Sequence, residues 1–248
     1  NKESPQNEDN RLIFCTYLDL PKSVNPGDII QLDNGKFAAK VTSTHQSSVV
    51  VELLSPGTLG SRRHVNLPGV RVNLPTITDK DKKDIAFGIK HGIDMLALSF
   101  ARDARDIREA KELVGEDVQV IAKIESQEGV DNFRSIARAA DGIMIARGDL
   151  SVEVDLEQIP VLQRKMLHDL KNDFPDTFAI VATGMLRSMI DEARPRRAEV
   201  TDIATAVWEG ADYCMLSDET AAGKDPVKAV EMFARIIDFS AKHAPKGF

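Results

Sequence analysis

From Val70 onward, apolar runs of strand length alternate with amphipathic stretches of helical length, and this alternation restricts the possible folds more than any other feature of the chain. The runs DMLALSF, VQVIAKIE, GIMIARGD, FAIVATG and YCMLSDE are apolar on both faces, as parallel strands covered by helices must be. Between them, DKKDIAFGIKHG, ARDIREAKELVG and EQIPVLQRKMLHDLKN read as amphipathic helices. Polar residues close the runs: Ser99, Lys123, Asp149, Thr183 and Glu219 follow one another at separations of 24, 26, 34 and 36 residues. A βαβ unit takes roughly 30. In (β/α)₈ barrels the reactive groups come from the carboxyl ends of the strands, so this spacing predicts an α/β fold of barrel type. An open doubly wound sheet favours a Gly-rich first turn, and no G-x-G-x-x-G follows a strand here. Five readable strands make a partial barrel, since eight are needed to close one.

The first part of the chain has a different pattern. RLIFCTYLDL reads as a strand, Asn25-Pro26-Gly27-Asp28 as a turn, IIQLDNGKFAAKV as a hairpin turning at Asp33-Asn34-Gly35, and SVVVELL as a further strand before Pro56-Gly57. The expected organisation is a small all-β unit over residues 1–68 and an α/β unit over 69–248.

Lys123 and Glu125 stand two apart on one predicted strand, so they share a face while Ile124 packs away from it. Asp149 ends the next run. Two carboxylates suit a hard divalent cation such as Mg²⁺, which takes one or two from protein and fills its remaining positions with water and substrate oxygens. With the lysine beside them, these groups fit a reaction in which negative charge grows on phosphoryl or enolate oxygens.

Composition excludes some partners. A net charge of -7, with no basic stripe, argues against nucleic acid. No apolar stretch approaches the roughly 20 residues of a membrane span, the polar start NKESPQNEDN is no signal peptide, and the cytoplasm is the expected compartment. Cys15 and Cys214 lie in apolar contexts without metal-type spacing and are expected to be buried thiols. His64, His91 and His168 have no cysteine or carboxylate at ligand spacing and read as surface residues; Trp208 and the two tyrosines read as packing. Arg194, Arg196 and Arg197 form a basic patch at a helix start, for which solvation or a subunit contact is expected rather than substrate.

Several segments are similar, in order and spacing, to the pyruvate kinase family: VNLPGVRVNLP (65–75), IAKIESQEG (121–129), DGIMIARGDL (141–150), RPRRAE (194–199) and MLSDET (215–220). The resemblance is densest from about Gly60 to Ala241, while the β-rich start resembles the later part of that family's lid domain. It implies a chain that begins inside the lid and carries barrel strands four to eight. It further implies phosphoryl transfer from phosphoenolpyruvate to ADP, in glycolysis, with Mg²⁺ (or Mn²⁺) and K⁺. Glu125 and Asp149 would then hold the metal, Lys123 would steady the transferring phosphoryl and the enolate, and Thr183 would lie near the substrate and the proton path. The backbone N–H groups of Gly148 and Asp149 would receive the substrate carboxylate, and Arg63 would meet a nucleotide phosphate. The family's K⁺ ligands lie on its first three strands, which have no counterpart in this sequence. A homo-oligomer or a complementing N-terminal half is the implied partner.

Some positions depart from the family pattern. Gly184 stands where Gln is usual, Asp218 where Gly is usual, Asn34 replaces the second Asp of an Asp-Asp-Gly turn, and Arg62 and Arg63 replace a lysine pair. Two other readings stay open on the residues alone. One is a Mg²⁺-dependent aldolase or lyase acting on pyruvate-like enolates. The other is a non-catalytic, shortened paralogue that binds or assembles, with its sheet edges covered by a partner.

Overall fold

The computed structural model describes residues 12–70, 72 and 74–245. They divide into two compact units that part between Leu74 and Pro75.

In the first unit a helical turn, α1 (Leu20–Ser23), precedes four strands: β1 (Ile29–Leu32), β2 (Phe37–Thr44), β3 (Val49–Leu53) and β4 (Val65–Asn66). All pairings are antiparallel, in the order β3-β2-β1-β4. Alternate residues Phe37, Ala39 and Val41 of β2 are buried, and Phe37 and Val41 join Val24, Ile30, Leu32 and Leu67 in a small core. The hairpin turn falls where the sequence places it: Asp33, Asn34 and Gly35 all have left-handed φ, of 54°, 55° and 78°. The expectation of a strand over RLIFCTYLDL is not met, since residues 12–19 form none; Arg11 lies outside the described residues. Strand propensity expresses itself through packing on a sheet face, and here Leu12, Ile13, Phe14 and Leu18 are exposed instead.

The second unit is built on five parallel strands in sequence order: β5 (Met95–Leu98), β6 (Gln119–Ile124), β7 (Gly142–Ala146), β8 (Phe178–Ala182) and β9 (Tyr213–Met215). Ahead of the sheet comes α2 (Asp79–Lys90), which begins at a capping box in which Thr78 and Asp81 exchange bonds. The connections carry α3 (Ala104–Val114), α4 (Gln127–Asp131), α5 (Phe133–Ala139), α6 (Arg147–Glu153), α7 (Ile159–Asp173) and α8 (Arg197–Trp208), and α9 (Asp218–Ala221) and α10 (Pro226–Lys242) follow β9. Every α/β run read from the sequence forms a strand, but shorter than the run.

Strand parity sorts the sheet into two faces. Val120, Ala122, Ile124, Ile143, Ile145, Ala179 and Val181 pack into the larger core with helix residues such as Ile107, Ile136 and Leu167. Ile121, Met144, Ala146, Ile180 and Ala182 form a separate cluster on the opposite face. Lys123 has the parity of Ile121 and is paired in register with Met144, so it belongs to that second face. β5 and β9 each have one neighbour in the sheet, and Met95 and Tyr213 on them are exposed.

A repeated device fixes the amino ends of the strands. Asp141, just before β7, gives its N–H to the Val120 carbonyl at 3.0 Å and accepts the Val120 N–H on Oδ2 at 2.7 Å. Asp212, just before β9, does the same with Ala179, at 3.0 and 2.7 Å. Asp141 also pairs with Lys111 at 2.7 Å. Asp141→Ala is expected to leave the N–H of fully buried Val120 without its side-chain acceptor and to lower stability by about 2 kcal/mol. Thermal unfolding should then shift down by roughly 4–8 °C; an unchanged midpoint would remove the register role.

Candidate active site

The carboxyl ends of β5 to β8 bring together most of the residues singled out from the sequence. Lys123 Nζ lies 2.8 Å from Glu125 Oε1 and donates to Ser99 Oγ at 3.0 Å. The other carboxylate oxygen, Glu125 Oε2, accepts the Phe100 N–H at 2.8 Å. Glu125 is 1% exposed, whereas the Lys123 side chain keeps 23% of its surface open. A carboxylate buried to this degree needs its cation and its amide donor. Each oxygen still has a lone pair available to a further ligand.

Asp149 lies in the first turn of α6, which starts directly after β7. The sequence reading put it at a strand end; ARGDL instead turns helical at Arg147. Glu219 likewise sits in α9. It is 1% exposed and accepts the N–H groups of Leu186 at 3.0 Å and Ser217 at 2.8 Å, so its carboxylate ties two loops together. Asp218 beside it is exposed.

Thr183 follows β8 with φ 73°, a left-handed backbone that a β-branched residue holds at a cost of about 1–3 kcal/mol. Its hydroxyl donates to the Ala182 carbonyl at 2.6 Å and accepts the Gly148 N–H at 2.6 Å. Of the two backbone donors assigned to an anion, that of Gly148 is therefore engaged by Thr183 in this structure. A side chain at Gly148 would meet Thr183 Oγ1 at 3.3 Å. Gly184 also has positive φ, 71°, with open space around it.

Arg147 links several of these elements. Its guanidinium makes a two-pronged pair with Asp202 of α8, at 2.6 and 2.8 Å, and donates to Gln163 Oε1 at 3.2 Å and to the Thr183 carbonyl at 2.9 Å. Gln163, 3% exposed, passes the chain on to Glu209 at 2.9 Å. The sequence reading missed Phe100, Asp202 and Gln163. Gln163 had a readable signal: it is a polar residue on the stripe Ile159, Met166, Leu167, Leu170 that α7 buries. Cys214 lies half-buried near this network; burial raises its thiol pKa to about 11, with Arg147 opposing and Asp202 adding to the shift.

The other expectations fall as follows. Arg63 is in the first unit, exposed, with Nη1 3.5 Å from Asp33 Oδ1. Arg194, Arg196 and Arg197 are exposed at the start of α8, where Arg196 pairs with Glu192 at 2.8 Å. His64, His91 and His168 are exposed. Trp208 donates to the Ser240 carbonyl at 2.9 Å, but Tyr213, edge-on to Phe178, is exposed rather than packed inside. Both cysteines are half-buried rather than fully so. Among the described residues no group of three or more His, Cys, Asp or Glu side chains forms a metal cage, and no helix is long and apolar enough to cross a membrane.

A parallel strand-and-helix sheet whose carboxyl ends gather a lysine, a buried glutamate, an aspartate and a strained threonine is of the class in which barrel enzymes place their chemistry. The sequence pattern of the pyruvate kinase barrel domain matches residues 1–230. Pyruvate kinases similar to this chain include that of Agaricus bisporus, 43% identical over 91% of this chain and 43% of the relative. Those of Bacillus licheniformis (44%, covering 92% and 40%) and Clostridium perfringens (38%, covering 92% and 48%) are also similar. The chain belongs to the pyruvate kinase family, and it spans less than half the length of these relatives. Membership does not favour the aldolase or lyase reading, nor that of a binding paralogue.

Proposed function

We propose that this chain carries the metal and phosphoenolpyruvate half of a pyruvate kinase site, which transfers a phosphoryl group to ADP and yields pyruvate. The observation that supports it best is the Lys123–Glu125 pair, 2.8 Å apart at the carboxyl end of β6, in a family member with Asp149 in the first turn of the helix after β7 and Thr183 just after β8. In this reading the five strands are barrel strands four to eight and the β-rich unit is part of the lid. The one-sided edges of β5 and β9 are closed by further strands, from the rest of a longer chain or from a second polypeptide.

The donor set fits Mg²⁺. Two carboxylates, one of them fully buried and held by an amide, leave the other positions to water and substrate oxygens, which is how this ion is usually bound. The ion would neutralise charge on the phosphoryl and enolate oxygens. Lys123 supplies a second positive charge there, steered by Ser99 and Glu125. The Thr183 hydroxyl would hold or pass a proton near the enolate, and the Gly148 N–H, which it now accepts, would once released serve the substrate carboxylate together with that of Asp149. On the family's pattern alone, Arg63 meets a nucleotide phosphate, K⁺ is bound by residues outside this chain, the working form is a homo-oligomer or a complemented half, and the compartment is the cytoplasm.

The test is pyruvate formation from phosphoenolpyruvate and ADP, with Mg²⁺ and K⁺, by this chain with and without the N-terminal half of a relative. Activity is expected on complementation. Asp149→Asn should then cost at least about tenfold in turnover at fixed Mg²⁺. Folded protein that is inactive in both cases would turn the reading toward a binding paralogue.

A further inference from the structure

Among the described residues five other than glycine have positive φ. Asp33 and Asn34 occupy a hairpin turn that calls for it. Phe100, with φ 51°, is a bulky residue in the turn that follows β5, a turn whose residues include no glycine, asparagine or aspartate to favour that backbone. Packing of its side chain does not explain it either, since the residue is 41% exposed. Its amide does: the left-handed turn aims the Phe100 N–H at Glu125 Oε2, 2.8 Å away, while the hydroxyl of the preceding Ser99 meets Lys123 Nζ.

The segment is held from several sides. Ala101 is fully buried, and its carbonyl packs so closely on α4 that a Cβ at Gly129 would lie 2.8 Å from it. The Arg102 carbonyl accepts from Asn132 Nδ2 at 2.9 Å, and the Arg102 N–H donates to Asp106 at 2.9 Å. The Arg102 guanidinium reaches Thr76 Oγ1 at 2.6 Å. Strain persists where surrounding contacts over-determine the backbone.

We infer that Phe100 is a positioning residue: its left-handed backbone amide fixes the orientation in which Glu125 meets a divalent cation. This rests on the proposed role of Glu125 as a metal ligand. Groups that orient a ligand typically change metal affinity 10- to 100-fold when lost. A side chain matters here only through the backbone it permits. Proline removes the N–H and forbids positive φ, whereas asparagine keeps the N–H and tolerates the left-handed region.

The experiment is Mn²⁺ binding, by electron paramagnetic resonance, to the chain and to Phe100→Pro, Phe100→Asn and Glu125→Gln, with the double variant of the first and last. Phe100→Pro is expected to weaken Mn²⁺ about tenfold, Phe100→Asn to restore most of that affinity, and Phe100→Pro to have no further effect once Glu125 is Gln. Equal losses in both backgrounds, or none, would overturn the inference and leave the metal site standing. A Glu125→Gln variant that binds Mn²⁺ as the parent does would remove the metal site, and the inference with it. Should the proline variant not fold, the Phe100 amide proton decides: Glu125→Gln is expected to move its resonance upfield, and an unmoved resonance overturns the assignment.

Discussion

Lys123→Met is expected to lower pyruvate formation by the complemented enzyme by 10²- to 10³-fold or more, with Mn²⁺ still bound. A fixed charge aimed at developing oxyanions is worth about that much in a water-poor site. The structure supplies the fixing, since Nζ has two anchors, Glu125 Oε1 at 2.8 Å and Ser99 Oγ at 3.0 Å. A competing effect must be separated from it. Glu125 is 1% exposed, and removing one partner of a buried ion pair commonly costs about 3–5 kcal/mol. Here the cost falls toward the lower end, because the Phe100 amide remains on Oε2 and the open side of Lys123 admits water to Oε1. A loss near 3 kcal/mol would lower the melting temperature by roughly 6–12 °C without unfolding the protein at 25 °C. Turnover measured at 25 °C, on protein whose circular dichroism matches the parent, therefore reports the charge. Parental turnover under those conditions would end the assignment of Lys123 to the chemistry.

The parts of this site that follow from strand parity were legible in advance, and those that depend on distant partners were not. Lys123 and Glu125 had to share a face once β6 was a strand, and Ile124 had to enter the core opposite them. The asparagine-glycine hairpin was equally local. Asp149 and Glu219 were misplaced as strand ends because ARGDL and SDETA carry the polar residues of a strand's end and of a helix's first turn alike, and hydrogen bonding decides between them. Glu219 shows the consequence: the residue that continued the series in sequence turns inward to hold the Leu186 and Ser217 amides. Phe100 gave no sign of its left-handed backbone, since glycine and asparagine are the residues that announce it. Asp202 stands 55 residues from Arg147, and no periodicity links the two. The apolar run at Leu12–Phe14 reads as a strand by propensity, yet its three side chains are exposed and it forms no strand, because propensity alone does not supply the packed face that holds one.

The largest effect on stability is expected from Arg147→Ala, far from obvious in a residue flanking the site. Its side chain is 12% exposed, and the guanidinium satisfies Asp202 twice, Gln163 Oε1 and the carbonyl of Thr183. Alanine leaves all of these without their donor. The Asp202 side chain is 37% exposed, so water can recover part of its charge, and the loss stays near the low end for a broken buried pair. Gln163, at 3% exposure, has no such recourse. Together these give about 3–4 kcal/mol and a melting temperature lower by roughly 6–16 °C. Lysine at this position should recover little, because one ammonium cannot span a two-pronged carboxylate and a carbonyl at once. Asp202→Asn should cost less than half as much, since Arg147 keeps its bonds to Gln163 and to the Thr183 carbonyl. The strained Thr183 adds a second readout. With its carbonyl released, φ 73° has one fewer constraint, and Arg147→Ala should raise hydrogen exchange at Gly184 and Met185 beyond what global destabilisation explains. A melting temperature within about 2 °C of the parent would show that the network contributes less than 1 kcal/mol, and that Thr183 is held by the Gly148 amide and the turn itself.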